Sequence, residues 1–67
     1  MSEIKYPHVK VRLTGTDGNA FAILGKVAAA LRRAGASKDD IKSFQNEATS
    51  GDYSHLLATC SAWVTVS

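Results

Sequence analysis

The amino-acid sequence predicts a small α/β domain of the mixed α+β type, with two short strands and three helices in the order β-α-α-α-β. Apolar residues alternate near the N-terminus, three segments with helical spacing follow, and a second β-prone stretch ends the chain. The length of 67 residues suits one domain. We expect this domain to span residues 1–67, with residues 1–7 as a loose lead-in that Pro7 ends.

The first strand is predicted to begin at His8. Apolar and basic residues alternate there, as expected for a strand with one buried face. The two faces are Val9, Val11 and Leu13 on one side and Lys10 and Arg12 on the other. The run of turn-forming residues from Thr14 to Gly18 ends the strand.

The strongest helix prediction covers the segment between Asn19 and Gly35. Asp17 or Asn19 is the expected N-cap, and Gly35 is the expected left-handed residue at the end. Gly25 lies inside the helix, at a cost of about 1 kcal/mol relative to alanine, and we expect it to allow a close approach by a neighbouring element. The apolar side of the helix consists of Phe21 together with Ala20, Ile23, Leu24, Val27, Ala28 and Leu31.

Two shorter helices and a closing strand complete the predicted fold. Ser37 and Asp40 form a capping box for the second helix, and Asp52 is the expected cap of the third. The apolar positions are Ile41, Phe44 and Ala48 in the second helix and Tyr53, Leu56, Leu57, Cys60 and Val64 in the third. The stretch from Trp63 to Ser67 is predicted as the closing strand, with Trp63 as a core or interface anchor.

The small size of the chain predicts self-association. Two short strands do not form an independently stable sheet, and their open edges attract further strands. The single cysteine, Cys60, excludes an internal disulfide and is expected to lie in the core. No pair of His or Cys residues has metal-ligand spacing, so we expect neither a metal nor another cofactor. Assembly into a homodimer or larger oligomer is the remaining way to gain stability.

Charge and hydropathy limit the expected partners. The net charge of +2 is too small to indicate a nucleic-acid partner, and no apolar run approaches the length of a membrane span. With a polar start as well, the chain is expected to remain in the cytoplasm.

The charge is unevenly distributed along the sequence. Residues 1–35 hold six basic and two acidic residues, whereas residues 36–67 hold two basic and four acidic ones. This split either orients two copies against each other, focuses a basic surface, or is a chance distribution.

The glycine-rich loop is the first candidate site. A loop between a strand and a helix start offers backbone N–H groups and the positive end of the helix dipole to an anion. No Lys-Ser/Thr pair follows the glycines, so the loop is not a P-loop. The alternative is a plain turn with a helix cap. The residues concerned are Thr14, Gly15, Thr16, Asp17, Gly18 and Asn19.

A second cluster, Asp52, Tyr53 and His55, is expected to contact a ligand or partner, from the same or a neighbouring chain. Closeness of Asp, Ser and His in sequence does not make a catalytic triad, so we expect no enzyme activity.

The basic strand face of Lys10 and Arg12, with the Arg32–Arg33 pair, is a third candidate that would suit a nucleic-acid backbone. That strand face carries no aromatic residue for base stacking.

Two strings resemble a known group of proteins. The strings LTGTDGNAFAILG (residues 13–25) and ATSGDYxHLL (residues 48–57) are similar to those of small proteins encoded by bacteriophages, prophages and plasmids. The resemblance brings no activity with it. It implies an accessory protein of a mobile element inside a bacterial host cell, where many such proteins counter host defences by sequestering a signalling nucleotide or binding a defence protein.

The leading hypothesis is a non-catalytic, homo-oligomeric binding module that holds a small anionic ligand, such as a nucleotide. The alternatives are an inhibitor or adaptor of a host protein, and a nucleic-acid binder that uses the Lys10 and Arg12 face.

Overall fold

A computed structural model describes residues 4–13 and 19–66, and it confirms the predicted fold class and order of elements. The strands and helices are β1 (Tyr6–Val11), α1 (Ala20–Arg33), α2 (Lys38–Ala48), α3 (Tyr53–Trp63) and β2 (Val64–Val66). Within these described ranges, no helix combines the length and the apolar character that crossing a bilayer requires.

The two strands pair with each other in parallel within one chain. Lys10 lies opposite Thr65 and Val11 lies opposite Val66, with an irregularity between Tyr6 and Lys10. The Thr65 hydroxyl also donates a hydrogen bond of 2.8 Å to the Pro7 carbonyl. The three helices therefore form the long crossover that a parallel pair needs.

The first strand begins at Tyr6 and ends at Val11, so the predicted start at His8 and end at Leu13 are wrong. Tyr6 belongs to the strand because it pairs with Val64 of β2. Its ring also stacks on Trp63, with centroids 6.3 Å apart and planes at 14°. Its hydroxyl also donates a hydrogen bond to Asp40. Pro7 does not prevent pairing, because proline is tolerated near the start of an edge strand.

One hydrophobic core joins all five elements, and the predicted apolar positions supply most of it. Phe44 is fully buried and packs edge-to-face on Trp63, with centroids 5.7 Å apart. Cys60 is fully buried as predicted, and burial raises the pKa of its thiol. The other buried apolar residues are Val9, Val11, Ile23, Val27, Ala28, Leu31, Ile41, Ala48, Leu56 and Val64.

The helix ends follow the predicted caps. The Ser37 hydroxyl accepts a hydrogen bond of 3.1 Å from the Asp40 N–H, which begins α2. Gly35 ends α1 with φ of +89°. The expected close approach at Gly25 is wrong, because a Cβ built there meets no described atom within 4 Å.

Candidate binding groove

A groove of about 240 Å³ lies where the first turns of α1 and α3 meet the end of α2. We call it the aromatic groove. Its walls are mostly apolar, and its volume is below the roughly 300–1,000 Å³ of sites for drug-sized ligands. It therefore suits one flat ring system rather than a whole large ligand. Its lining consists of Ala20, Phe21, Leu24, Ala48, Thr49, Gly51, Asp52, Tyr53 and Leu56.

Two aromatic side chains of this groove are exposed. Phe21 is 79 % exposed and Tyr53 is 44 % exposed. The sequence assigned both to the apolar sides of their helices, but the structure leaves them outside the buried core. Both residues lie in the first turn of their helix, where the packing leaves most of Phe21 and nearly half of Tyr53 exposed. Leu57, also predicted as a packing residue of α3, is 36 % exposed and does not line the groove.

Two capped helix starts border the groove. The Asn19 side chain accepts a hydrogen bond of 2.8 Å from the Phe21 N–H, and Asp52 accepts one of 2.9 Å from the His55 N–H. Helix starts carry a partial positive charge that favours anions. The Asp52 carboxylate offsets this at α3, whereas the cap of α1 is neutral. The α1 end of the groove is therefore the better place for an anion, and Asp52 is suited to accept a hydrogen bond from a hydroxyl.

Part of the predicted site lies outside the described residues, namely Thr14, Gly15, Thr16, Asp17 and Gly18. Asn19 is described and caps α1. The next two residues, Ala20 and Phe21, line the same groove as Asp52 and Tyr53. Of the predicted site residues that the structure describes, only Asp52 and Tyr53 line this groove, and the two residues that follow Asn19 reach it from α1.

His55 does not line the groove. Its Nε2 atom lies 2.8 Å from the Glu47 carbonyl oxygen and 3.1 Å from the Ser50 hydroxyl oxygen. A carbonyl oxygen only accepts, so Nε2 donates to Glu47 and the ring is directed to the end of α2. Asp52 contacts the backbone of His55 instead of its ring. This geometry gives His55 a structural part in joining α2 to α3.

The basic residues of the third candidate separate into two places. Lys10, Arg12 and Arg33 line a groove along β1. Arg32, by contrast, lines a different depression beside α2. The Arg32–Arg33 pair is therefore divided between two surfaces, and only one of the two arginines joins the strand face.

The function of the aromatic groove has to be inferred from its own geometry. Among residues 4–13 and 19–66, no group of three His, Cys, Asp or Glu side chains is placed to hold a metal ion. No family model, no curated protein and no solved structure matches the chain.

The sequence missed Phe21 as a surface residue. Its position two residues after Asn19 could have indicated exposure, because a residue in the first turn lies at the end of a helix and not in the middle of its packed face. Thr49 and Leu24 also line the groove and were not assigned to a site. Nothing in the local sequence distinguishes these two residues from ordinary helix positions.

Proposed function

We propose that this protein is a non-catalytic binding module that holds a small anionic ligand with a flat ring, such as a nucleotide, in the aromatic groove. The observation that carries the proposal is the exposed pair of Phe21 and Tyr53 on the walls of one groove. Covering a phenylalanine side chain is worth about 1.5–3 kcal/mol. Two uncovered aromatic rings at one concave place are typical of a surface that a ligand covers.

The ring of the ligand would lie against Phe21 and Tyr53. Stacking of a nucleobase on an aromatic side chain is worth about 1–3 kcal/mol and tolerates different bases. Leu24 and Leu56 give the same groove an apolar floor. The groove therefore selects for a planar apolar surface, which a sugar or phosphate alone does not have.

The anionic part of the ligand would lie at the start of α1. The first N–H groups of a helix have no intrahelical carbonyl partner and attract phosphate or carboxylate. The residues that precede this helix in the sequence would offer hydroxyl and backbone donors to the same ligand, namely Thr14, Gly15, Thr16, Asp17 and Gly18. Asp52 at the other helix start would accept a hydrogen bond from a ligand hydroxyl.

The proposal includes self-association and a biological setting. The sheet of the described residues has only two strands, so oligomerisation that extends it would stabilise the fold. A protein that holds a nucleotide without converting it lowers the free concentration of that nucleotide. In a bacterial host cell, such sequestration would suit the counter-defence role that the resemblance to phage-encoded proteins implies.

Isothermal titration calorimetry with a panel of linear and cyclic nucleotides tests the proposal, with the matching nucleosides and inorganic phosphate as comparisons. We expect a nucleotide to bind more tightly than its nucleoside or phosphate alone. Phe21→Ala and Tyr53→Ala should each weaken binding by about tenfold or more. Leu57→Ala is the matched control, because it removes an exposed apolar side chain of α3 outside the groove. Failure of every nucleotide to bind, or unchanged binding by both groove variants, would overturn the proposal.

A further inference from the structure

A second groove, of about 520 Å³, runs between β1 and α1, and we call it the β1 groove. Five consecutive residues line it, from His8 to Arg12, and all but Arg12 belong to β1. Because side chains alternate between the two faces of a strand, five consecutive residues share only the backbone edge. No residue of β2 lines this groove. The groove therefore follows the edge of β1 that faces away from β2.

This edge is open to another strand. Among the described residues the sheet contains β1 and β2 alone, so β1 has a neighbour on one side only. An unpaired strand edge presents N–H and C=O groups to any extended chain that reaches it. The opposite wall of the groove belongs to α1, where the facing residues include Ala29 and Ala30. Because their side chains are small, they would obstruct a chain added at about 4.8 Å from β1, the usual spacing of paired strands, less than larger residues would.

The charged residues that line the β1 groove are all basic. Lys10 of β1 and Arg12, the residue after β1, contribute cations on one side, and Lys26 and Arg33 contribute cations from α1. None of the described residues that line the groove is acidic. An occupant with several carboxylates would complement these four positive charges, and each of them would strengthen its binding.

We infer that the β1 groove binds an acidic, extended segment of a partner protein, which pairs with the open edge of β1 as an added strand. Strand addition is a common way for a domain to bind a peptide, with backbone bonds for affinity and side chains for specificity. Glutamate or aspartate at alternate positions of the segment would lie on the sheet face of Lys10 and Arg12, and small or β-branched residues between them would pack over Ala29 and Ala30.

A second copy of this chain fits the β1 groove less well. Antiparallel pairing of β1 with its own copy would bring Lys10 and Arg12 of both chains onto one sheet, and like charges in such positions are destabilising. Pairing with β2 of a copy would leave the cations unmatched, because Val64–Val66 carries no acidic residue. Single-stranded nucleic acid would match the charge but would find no phenylalanine, tyrosine or tryptophan in the groove for base stacking.

The inference is tested with a short synthetic peptide in which glutamate alternates with valine, using fluorescence anisotropy and amide chemical shifts. We expect saturable binding that shifts the amide signals of His8–Arg12. A peptide with a central proline has the same charge but lacks a backbone donor, and it should bind far more weakly. Ala29→Leu should also abolish binding, because its side chain is exposed and would fill the groove without altering the core.

The adjacent arginines give a matched pair of charge variants. Arg33→Gln should weaken peptide binding about two- to fivefold, whereas Arg32→Gln removes the same charge outside the groove and should leave binding unchanged. Equal binding of the proline peptide, or equal effects of the two arginine variants, would overturn strand addition. Binding of oligothymidylate to His8–Arg12 without binding of the acidic peptide would overturn it in favour of nucleic acid.

Discussion

The hydroxyl of Tyr6 donates a hydrogen bond to the carboxylate of Asp40, 34 residues further along the chain. The ring of the same tyrosine stacks on Trp63. Through these contacts the first residue of β1 is joined to the start of α2 and the end of α3. One residue of the segment that the sequence predicted to be a loose lead-in therefore holds β1 to α2 and α3.

Tyr6→Phe should destabilise the protein at neutral pH, and the difference should disappear at alkaline pH. The hydrogen bond to Asp40 is the main cause that raises the pKa of Tyr6 above its ordinary value of 10.0, followed by desolvation and the charge of Asp40. The contribution of this hydroxyl is fully present below pH 10.0 and is lost as the pH rises through the higher pKa of the folded state. Urea denaturation of both proteins over this pH range measures the difference.

Tyr53→Phe is the control for this experiment, because it removes the hydroxyl of an exposed tyrosine. Its stability relative to the unaltered protein should not change with pH in the same way. A destabilisation by Tyr6→Phe that stays constant through the alkaline range would contradict the Tyr6–Asp40 bond.

Two glycines should respond to alanine in opposite directions. Gly25→Ala should stabilise the fold by about 1 kcal/mol, because alanine has the higher helix propensity and the position has open space. Gly51→Ala should destabilise it, because the new Cβ would lie 2.8 Å from the Cβ of His55. Displacement of His55 would also break its bond to Glu47. Thermal unfolding of both variants checks the prediction, which fails if the two changes have the same sign.

Cys60 should react with a thiol reagent only when the protein unfolds. The side chain is fully buried, and burial raises the pKa of the thiol, so little thiolate is present to react. The labelling rate with Ellman's reagent should rise with urea in parallel with unfolding. A Cys60→Ala, Ser61→Cys double variant moves the thiol to an exposed neighbouring position and should react rapidly without urea. Equal native rates for the two proteins would show that Cys60 is accessible.

The two phenylalanines should differ sharply in their contribution to stability. Phe44→Ala should cost about 3–5 kcal/mol, because its ring is fully buried between the helices. Phe21→Ala should change the free energy of unfolding by less than about 1 kcal/mol, because most of the ring is already in water. Chemical denaturation measures both values. A large loss at Phe21 would mean that its ring is covered in solution, for example by a second copy of the chain.

The sequence predicted the fold where local signals determine it. The caps at Ser37 and Asp52 and the apolar spacing of Ile41, Phe44 and Ala48 depend on residues within a few positions of one another. These signals need no knowledge of the rest of the chain.

The site was less predictable, because it depends on packing between distant segments. A helical wheel gives the direction of Phe21 but does not tell whether another element covers it. Tyr6 was misassigned for a similar reason, since its partners Asp40 and Trp63 lie far along the chain. The meeting of Phe21 and Tyr53 at one groove follows only from the packing of α1 against α3.

The most direct test of the proposed function is a ¹⁵N–¹H NMR titration of the assigned protein with the nucleotide that binds most tightly. The account predicts that the largest shifts map to the first turns of α1 and α3, around Phe21 and Tyr53, and that Phe21→Ala removes them. Shifts confined to residues His8–Arg12 and to Arg33 would contradict it, because they would place the nucleotide in the β1 groove and leave the aromatic groove without a ligand.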